Sequence, residues 1–262
     1  MKICVLVKEV PDAAVQKRLV NGRMDRGGEK NLNPYDTHAI EEAVRIKEAG
    51  AVSVDEGVAV SMGPESADRA IRKAISLGVD RAVHLSDDAV AGSDVAATGF
   101  ALAKALEQEA PDLVLLGQQS DDGECYTIGA VVADHLRMPS LTQVIKMDVS
   151  GEGLRCERQA EYGYDTVDVE LPAVISVGDA INEPRYPSLK AIMGAKKKPL
   201  ETKSAADVGI EADRVGYDHA RAHCSDFAAP PAKSAGKIIE DEDTNDTVAQ
   251  IVAWLDERKL LS

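Results

Sequence analysis

The chain has few aromatic residues, no long apolar run and only a few scattered cysteines. Phe, Trp and Tyr make up 3% of the 262 residues, so the core must be built from Val, Ala, Leu and Ile. No apolar run approaches the roughly 20 residues of a membrane-spanning helix, and we expect no membrane insertion. Cys4, Cys125, Cys156 and Cys224 form no C-x-x-C pair. This spacing favours reduced thiols over a disulfide framework or a metal site.

Positive charge is also scarce. The sequence has 45 acidic and 30 basic residues, a formal charge of −15. Such a charge argues against nucleic acid or an anionic membrane surface as a partner. The first strand pattern starts at Lys2, with no separate cleavable segment before it. Together with the thiols, this predicts a cytoplasmic protein.

Recognisable catalytic groupings are missing as well. The histidines do not occur in a Ser-His-Asp, His-Glu-x-x-His or Cys-His context; they are His38, His84, His135, His219 and His223. Neither a Gly-x-Gly-x-x-Gly fingerprint nor a Walker pattern is present. The sequence therefore predicts a binding protein without catalytic chemistry of its own.

Apolar strand patterns alternate with amphipathic helix patterns four times in the first half of the chain. The strands are expected at residues 3–7, 57–60, 81–85 and 113–116. Asn33 and Ser93 are the expected N-caps of two of the helices, and a further helix is expected from about Glu124 to Leu136. This alternation predicts a doubly wound, mostly parallel α/β sheet.

The pattern changes after residue 141. Residues 142–149, 154–158 and 166–169 alternate or run apolar around glycine turns, which predicts antiparallel strands appended to the sheet. Residues 200–242 lose periodicity, and Thr244 or Asn245 is the expected cap of a last helix. We therefore expect an α/β nucleotide-binding domain over residues 1–199 and an extended C-terminal arm over 200–262. The last helix is expected to pack on another body, either this domain or a partner subunit.

The carboxyl ends of the strands are where a sheet of this kind binds ligands. Residues 117–125 form the best candidate loop, because they are polar and small and lead into a helix whose N-terminus offers free N–H groups to a phosphate. Carboxylates at Asp121, Asp122 and Glu124 would repel phosphate unless turned away, or would bind ribose hydroxyls. By this reasoning the loop is either a phosphate site or a polar connection.

Residues 182–199 form a stiff elbow. Pro184 and Pro187 fix the backbone, and Ser188 is placed to cap a short helix that carries Leu189. Three lysines, residues 196–198, follow this helix. An apolar side chain beside a basic strip suits docking to a partner, while a solvated helix exit is the simpler alternative.

Several motifs together resemble one family. Residues 171–177 (Leu-Pro-Ala-Val-Ile-Ser-Val) precede Asn-Glu-Pro-Arg-Tyr-Pro-Ser-Leu-Lys-Ala-Ile-Met at 182–193. Residues 5–10 and Asn-Pro-Tyr-Asp at 33–36 continue the match over nearly the whole length. In these segments the chain resembles the electron transfer flavoprotein β-subunit family.

This resemblance implies an adenine-nucleotide α-hydrolase-like fold whose arm wraps a larger α-subunit. It implies a heterodimer that carries a redox-active FAD in the α-subunit and a structural AMP here. The pair would move electrons from flavin-dependent dehydrogenases to a quinone reductase or another acceptor. The residues implied to bind AMP are Leu6, Asn33, Pro34, Tyr35, Asp36, Met62, Gln119, Ser120, Asp121, Asp122, Gly123, Glu124, Cys125, Tyr126, Thr127, Ile128, Gly129 and Ala130. The residues implied to dock on a dehydrogenase are Tyr186, Leu189, Ile192 and Met193.

The chain departs from the family pattern near the nucleotide loop. Thr127-Ile128-Gly129 stands where many relatives have Gln-Thr-Gly, and Tyr126 is bulkier than usual there. Gln159 stands where some relatives have Glu. One alternative is therefore a bifurcating β-subunit that holds a second FAD and exchanges electrons with NADH. An alternative of another class is a stand-alone adenine-nucleotide-binding stress or sensor protein.

Overall fold

A central sheet of buried aliphatic strands organises the computed structural model. The model describes residues 1–15, 19–20, 23–151, 153–223, 228, 231, 236–239 and 243–261. Cys224 and parts of the sequence-predicted arm lie outside the described residues. Within them, the chain divides into two compact units, Met1–Ser225 and Asp226–Ser262.

The secondary structure follows the predicted alternation. The strands are β1 (Lys2–Leu6), β2 (Glu9–Pro11), β3 (Leu19–Val20), β4 (Arg23–Met24), β5 (Lys30–Leu32), β6 (Glu56–Met62), β7 (Arg81–Leu85), β8 (Leu113–Gly117), β9 (Ser140–Ser150), β10 (Gly153–Ala160), β11 (Gly163–Val169), β12 (Ala173–Val177) and β13 (Leu200–Lys203). The helices are α1 (Pro34–Ala49), α2 (Asp68–Leu77), α3 (Val95–Glu109), α4 (Ile128–Leu136), α5 (Leu189–Ala195) and α6 (Thr244–Glu257).

In the described residues, the main sheet has nine strands in the order β11-β10-β9-β12-β8-β1-β6-β7-β13. Each strand pairs in parallel with the next along the part of the sheet that runs β9-β12-β8-β1-β6-β7-β13. β10 pairs antiparallel with both β9 and β11. The predicted mostly parallel sheet with appended antiparallel strands is confirmed.

Two hydrophobic clusters cover the two faces of the sheet. Alternate residues of β1 point to opposite faces: Ile3 and Val5 pack in one cluster, with side chains of α1 and α2. Cys4 and Leu6 pack in the other, with side chains of α3 and α4. Helices on both faces make the sheet doubly wound. The largest fully buried side chains are Ile, Leu and Val, as the shortage of aromatic residues requires.

Two of the predicted helix caps are wrong by one residue or more. Asp94 caps α3, because its side chain accepts a hydrogen bond from the Ala97 N–H at 2.8 Å. Ser93 instead donates its hydroxyl to the Val90 carbonyl at 2.8 Å. Asp243, rather than Thr244 or Asn245, caps α6. Carboxylates hold both positions because they are strong acceptors at the positive end of a helix.

Residues beyond 199 contribute to the first unit before any arm begins. β13 pairs in parallel with β7 at the sheet edge, and Ala205, Val208 and Val215 are buried. The first compact unit therefore includes residues beyond 199, and the predicted division into a domain over 1–199 and an arm over 200–262 stays a prediction. In the second unit, α6 exposes Val248 and other apolar side chains. Its packing on a partner subunit stays a prediction.

Candidate functional site

The carboxyl ends of the parallel strands bring the predicted nucleotide segments to one edge of the sheet, called the carboxyl edge below. Leu6 at the end of β1 pairs in register with Val60 of β6 and Leu116 of β8. Met62 ends β6 at the same edge, and it packs against the cluster that contains Leu6. The start of α1 and the loop after β8 therefore lie beside these strand ends.

Asn33 ties the start of α1 to the edge loop, defined here as residues 117–127. It occupies the N-cap position of α1, but its side chain makes no capping hydrogen bond. Its Nδ2 instead donates to Asp36 Oδ1 and to the Gln119 carbonyl, both at 2.8 Å. Its Oδ1 accepts from the Asp121 N–H at 3.1 Å. The predicted N-cap position is confirmed, whereas the side chain holds the loop rather than the helix.

Asp36 is a buried carboxylate at the centre of this edge. Its Oδ2 accepts from the Lys8 N–H at 2.8 Å, while Asn33 donates to the other oxygen. Burial raises the pKa of Asp36 to about 7, although both hydrogen bonds and the Lys8 charge oppose the rise. The pKa of the Asp36 carboxyl therefore lies close to physiological pH.

Gly117 permits the close approach of β8 to α1. A Cβ at this residue would lie 2.6 Å from the Tyr35 backbone carbon and 2.7 Å from Asp36 Oδ1. Real Cβ atoms do not approach other heavy atoms this closely, because repulsion rises steeply below van der Waals contact. Only glycine lets the edge loop leave the strand against the first turn of α1.

Two cations neutralise the carboxylate that would otherwise repel a phosphate. Lys8 Nζ donates to Asp122 Oδ1 at 2.7 Å and to Ser120 Oγ at 3.1 Å. The Arg26 guanidinium contacts the other Asp122 oxygen. Burial opposes ionisation of Asp122, but the Lys8 hydrogen bond and charge outweigh it and lower the pKa to about 2. The Asp122 side chain is 2% exposed in these ion pairs, whereas the Lys8 side chain is 42% exposed.

Neither Lys8 nor Arg26 was among the predicted site residues. The position of Lys8, directly after the first buried strand, was a usable signal, because strand ends converge at this edge. Arg26 had none, since it lies in an irregular excursion. In that excursion β2 pairs with β5 and β3 pairs with β4, both antiparallel.

The helix after the edge loop begins later than predicted. α4 starts at Ile128 instead of Glu124. Glu124 and Tyr126 adopt left-handed backbone angles, with φ of 45° and 54°, and such residues do not continue a right-handed helix. The first N–H groups of α4 have no carbonyl partner within the helix and carry partial positive charge. Gly129 in this turn packs against Leu116, where a Cβ would meet side-chain atoms at 3.3 Å.

The groups at this edge fit a phosphate-bearing nucleotide. Lys8, Arg26 and the α4 N-terminus supply positive charge and donors. Within the described part of the chain, Gln119 Oε1 is a buried side-chain acceptor with no hydrogen-bond partner. Buried polar atoms are almost always hydrogen-bonded. An orphaned acceptor beside a cationic edge is consistent with a ligand that carries both donors and phosphate.

The remaining predicted nucleotide residues differ in exposure. Tyr35 lies so close to Gly117 that it would clash with a Cβ there. Cys125 is partly buried. Tyr126 is 46% exposed. The other exposed members of the predicted set are Pro34, Gly123, Glu124, Thr127 and Ala130. The structure collects the set along one edge, and which members contact a nucleotide stays a prediction.

A second predicted surface lies on the docking segment, defined here as residues 182–199. Ser188 caps α5, as predicted, by accepting a hydrogen bond from the Ala191 N–H at 3.1 Å. Four large apolar side chains point outward, with exposed fractions of 97% for Tyr186, 74% for Leu189, 44% for Ile192 and 63% for Met193. Clusters of exposed apolar side chains mark interaction surfaces more often than single ones do.

The buried histidine of β7 has a structural partner. His84 Nε2 lies 3.0 Å from the Gly63 carbonyl. Burial lowers the pKa of His84, so the ring is neutral and Nε2 donates to the carbonyl. No group of three or more His, Cys, Asp or Glu among the described residues is arranged to hold a metal ion. Across the same residues, every helix is too short or too polar to cross a bilayer.

Comparison with known proteins gives one consistent family. Residues 22–208 match the model of the electron transfer flavoprotein domain. The chain is 42% identical to the electron transfer flavoprotein subunit beta of Mycobacterium leprae and 41% to that of Mycobacterium tuberculosis, with 99% of each chain covered. It is 32% identical over the full length of both chains to the Caffeyl-CoA reductase-Etf complex subunit CarD of Acetobacterium woodii. The chain belongs to the electron transfer flavoprotein β-subunit family.

Proposed function

We propose that this chain is the β-subunit of an electron-carrying heterodimer and has no catalytic site of its own. Its α-subunit carries an FAD, which accepts electrons from flavin-dependent dehydrogenases and releases them to a quinone reductase or another acceptor. The near-complete coverage of named β-subunits supports this proposal. Free thiols at Cys4, Cys125 and Cys156 support a reducing compartment, which we infer to be the cytoplasm.

The carboxyl edge is the proposed AMP site. The observation that carries it is the neutralised Asp122, which is held in ion pairs with Lys8 and Arg26 and so no longer repels a phosphate beside the N-terminus of α4. Asn33 fixes the backbone of the same loop from α1. AMP has no redox chemistry, so its proposed role is to fill the edge and hold the loop in place.

The docking segment is the proposed contact surface for dehydrogenases. Leu189 and its apolar neighbours form a small anchor, and the exposed Lys190, Lys196 and Lys197 lie on α5 or directly after it. A small interface with an apolar centre and a charged rim releases its partner quickly. Fast release suits a carrier that must exchange one partner for another.

The exposed end of the edge loop favours one alternative. Glu124, Tyr126 and Thr127 are exposed beyond the part of the loop that Asn33 and Lys8 hold. A ligand longer than AMP can extend along this open end without displacing the buried contacts. The alternative is therefore a second FAD at this edge, which exchanges electrons with NADH in a bifurcating heterodimer.

The test is to count the nucleotides of the heterodimer. The chain is co-purified with its α-subunit and denatured, and the released nucleotides are separated and quantified. One FAD and one AMP per heterodimer are expected. Two FAD without AMP would establish the alternative, and release of ATP or of no nucleotide would contradict the assignment of the carboxyl edge. A solution mass equal to this chain alone would instead support a stand-alone nucleotide sensor.

A further inference from the structure

The docking segment is held at both ends by arginine side chains that are not part of its exposed apolar surface. Arg185 binds its N-terminal part to α1, and Arg72 binds its C-terminal part to α2. The four apolar side chains lie between these two points. The Arg185 contacts are called the first attachment below, and the Arg72 contacts the second attachment.

The first attachment is a double ion pair between Arg185 and two glutamates of α1. Arg185 Nε and Nη2 donate to the two oxygens of Glu41 at 2.7 and 3.0 Å. Its Nη1 and Nη2 donate to the two oxygens of Glu48 at 2.7 and 2.8 Å. Glu41 is 6% exposed, so this carboxylate is shielded from water. Two-point arginine–carboxylate pairs fix direction as well as distance, which a lysine cannot do.

The Asn182 side chain and the Arg185 main chain add further hydrogen bonds to α1. Asn182 Nδ2 donates to the His38 carbonyl at 3.0 Å and to Glu42 Oε2 at 3.0 Å. The Arg185 N–H donates to Glu41 Oε2 at 3.2 Å. Pro184 and Pro187 restrict the backbone on either side of Arg185. The chain therefore enters α5 along a direction set by α1.

The second attachment holds the C-terminal end of α5. Arg72 Nη1 donates to the Ala195 carbonyl at 3.0 Å and to the Lys198 carbonyl at 2.8 Å. The first bond satisfies a carbonyl group at the C-terminus of α5, which lacks a partner within the helix, and the second holds the chain just after it. Lys198 Nζ donates to the Val79 carbonyl at 2.7 Å. Lys198 thus serves as an anchor, while Lys196 and Lys197 remain exposed.

We propose that Arg185 and Arg72 are positioning residues that hold the docking segment in its binding conformation before a partner arrives. A surface that is ordered in advance does not lose conformational entropy on association, so more of the contact energy appears as affinity. Neither arginine takes part in electron transfer itself. The proposal rests on the proposed docking function and adds the means by which the segment keeps its shape.

The test replaces Arg185 by Gln in the intact heterodimer. Reduction of the heterodimer by a purified flavin dehydrogenase that reduces the wild type is followed as a function of heterodimer concentration. We expect KM to rise about 5- to 10-fold with kcat within a factor of two, since order in the free segment affects binding alone. Hydrogen exchange of peptides from the docking segment is expected to become faster.

The matched control is Arg45→Gln. Arg45 also pairs with Glu41, at 3.7 Å, and lies on the same helix, so this variant makes the same change in net charge. Among the described residues, Arg45 makes no hydrogen bond or ion pair with the docking segment, so the KM and exchange rates of Arg45→Gln are expected to match the wild type. An equal rise in KM for Arg45→Gln would mean that charge, rather than positioning, causes the effect.

A second variant covers the case in which Arg185→Gln disturbs folding around Glu41. Arg72→Gln removes the second attachment, where the acceptors are carbonyl groups rather than a buried carboxylate. The same rise in KM and the same faster exchange are expected. Unchanged KM and unchanged exchange in both variants would overturn the positioning proposal.

Leu189→Ala separates the two proposals. If Leu189→Ala raises KM while the arginine variants do not, docking stands and positioning fails. If Leu189→Ala leaves KM unchanged, the proposed docking function itself fails. Flavin content and solution mass are measured for every variant, because each comparison requires an intact heterodimer.

Discussion

Asn33 Nδ2 donates to the main-chain carbonyl of Gln119 at 2.8 Å, although the two residues are 86 positions apart. This bond joins the first turn of α1 to the loop that follows β8. It makes the edge loop part of the sheet framework instead of a free surface loop. Changes on either side of this junction are therefore expected to affect nucleotide retention before they affect the rest of the fold.

Gly117→Ala should separate the edge loop from α1. The added methyl group would meet the Tyr35 backbone at 2.6 Å, and the shift needed to relieve this contact should cost about 1–3 kcal/mol. We expect a lower thermal midpoint of the heterodimer and less bound nucleotide. Gly151→Ala is the control, because a Cβ there meets no atom within 4 Å. Equal effects of both substitutions would contradict the close approach.

Asp36 should make the heterodimer less stable as pH rises. Burial raises its pKa to about 7 from its ordinary value of 3.8, so between these values the folded state binds more protons than the unfolded state. Stability linked to this group therefore falls as pH rises from about 4 to about 7 and is constant above. Thermal midpoints at pH 5 and pH 8 should differ less in Asp36→Asn than in the wild type. The same difference in both proteins would rule out this role.

Lys8→Met should weaken the edge loop through Asp122. Burial works against the Asp122 charge and Lys8 overcomes it, lowering the pKa to about 2. The stability linked to Asp122 is therefore present above about pH 4 and lost as pH falls towards 2. Without Lys8 we expect a loss of about 1–3 kcal/mol at neutral pH. We also expect a smaller further loss between pH 4 and pH 2, because the folded-state pKa of Asp122 is no longer lowered as far. The control is Lys146→Met, which removes an exposed pair with Glu157 and should leave the acid titration unchanged.

Leu189→Ala should slow electron acceptance from a dehydrogenase. Leu189 is 74% exposed at the centre of the apolar group, and truncation of such an anchor typically costs about 1–2 kcal/mol of binding, or roughly 10-fold in KM. Val95→Ala, an exposed apolar residue on α3, is the control. Flavin content should be normal in both variants. An unchanged reduction rate in Leu189→Ala at low heterodimer concentration would refute the docking assignment.

The sequence determined the fold class and most of its elements. Continuous aliphatic runs such as residues 3–7 are typical of strands buried on both faces, and helical spacing between them indicates a parallel sheet with helices on both sides. Asn33 marked the start of α1 correctly. These features are local, because burial on one or two faces leaves a period in the sequence itself. The family motifs could also be recognised from the sequence, since they are continuous segments.

The tertiary structure decided which distant side chains meet. Arg185 and Glu41 are 144 positions apart, and Lys8 reaches Asp122 across 114 positions. No periodicity encodes such pairs, since many charged residues could pair with either one. The left-handed residues Glu124 and Tyr126, which delay α4, also escaped sequence reasoning. Helical spacing reports which face a residue occupies, whereas the packing of distant elements alone determines where a loop must turn and which charges it brings together.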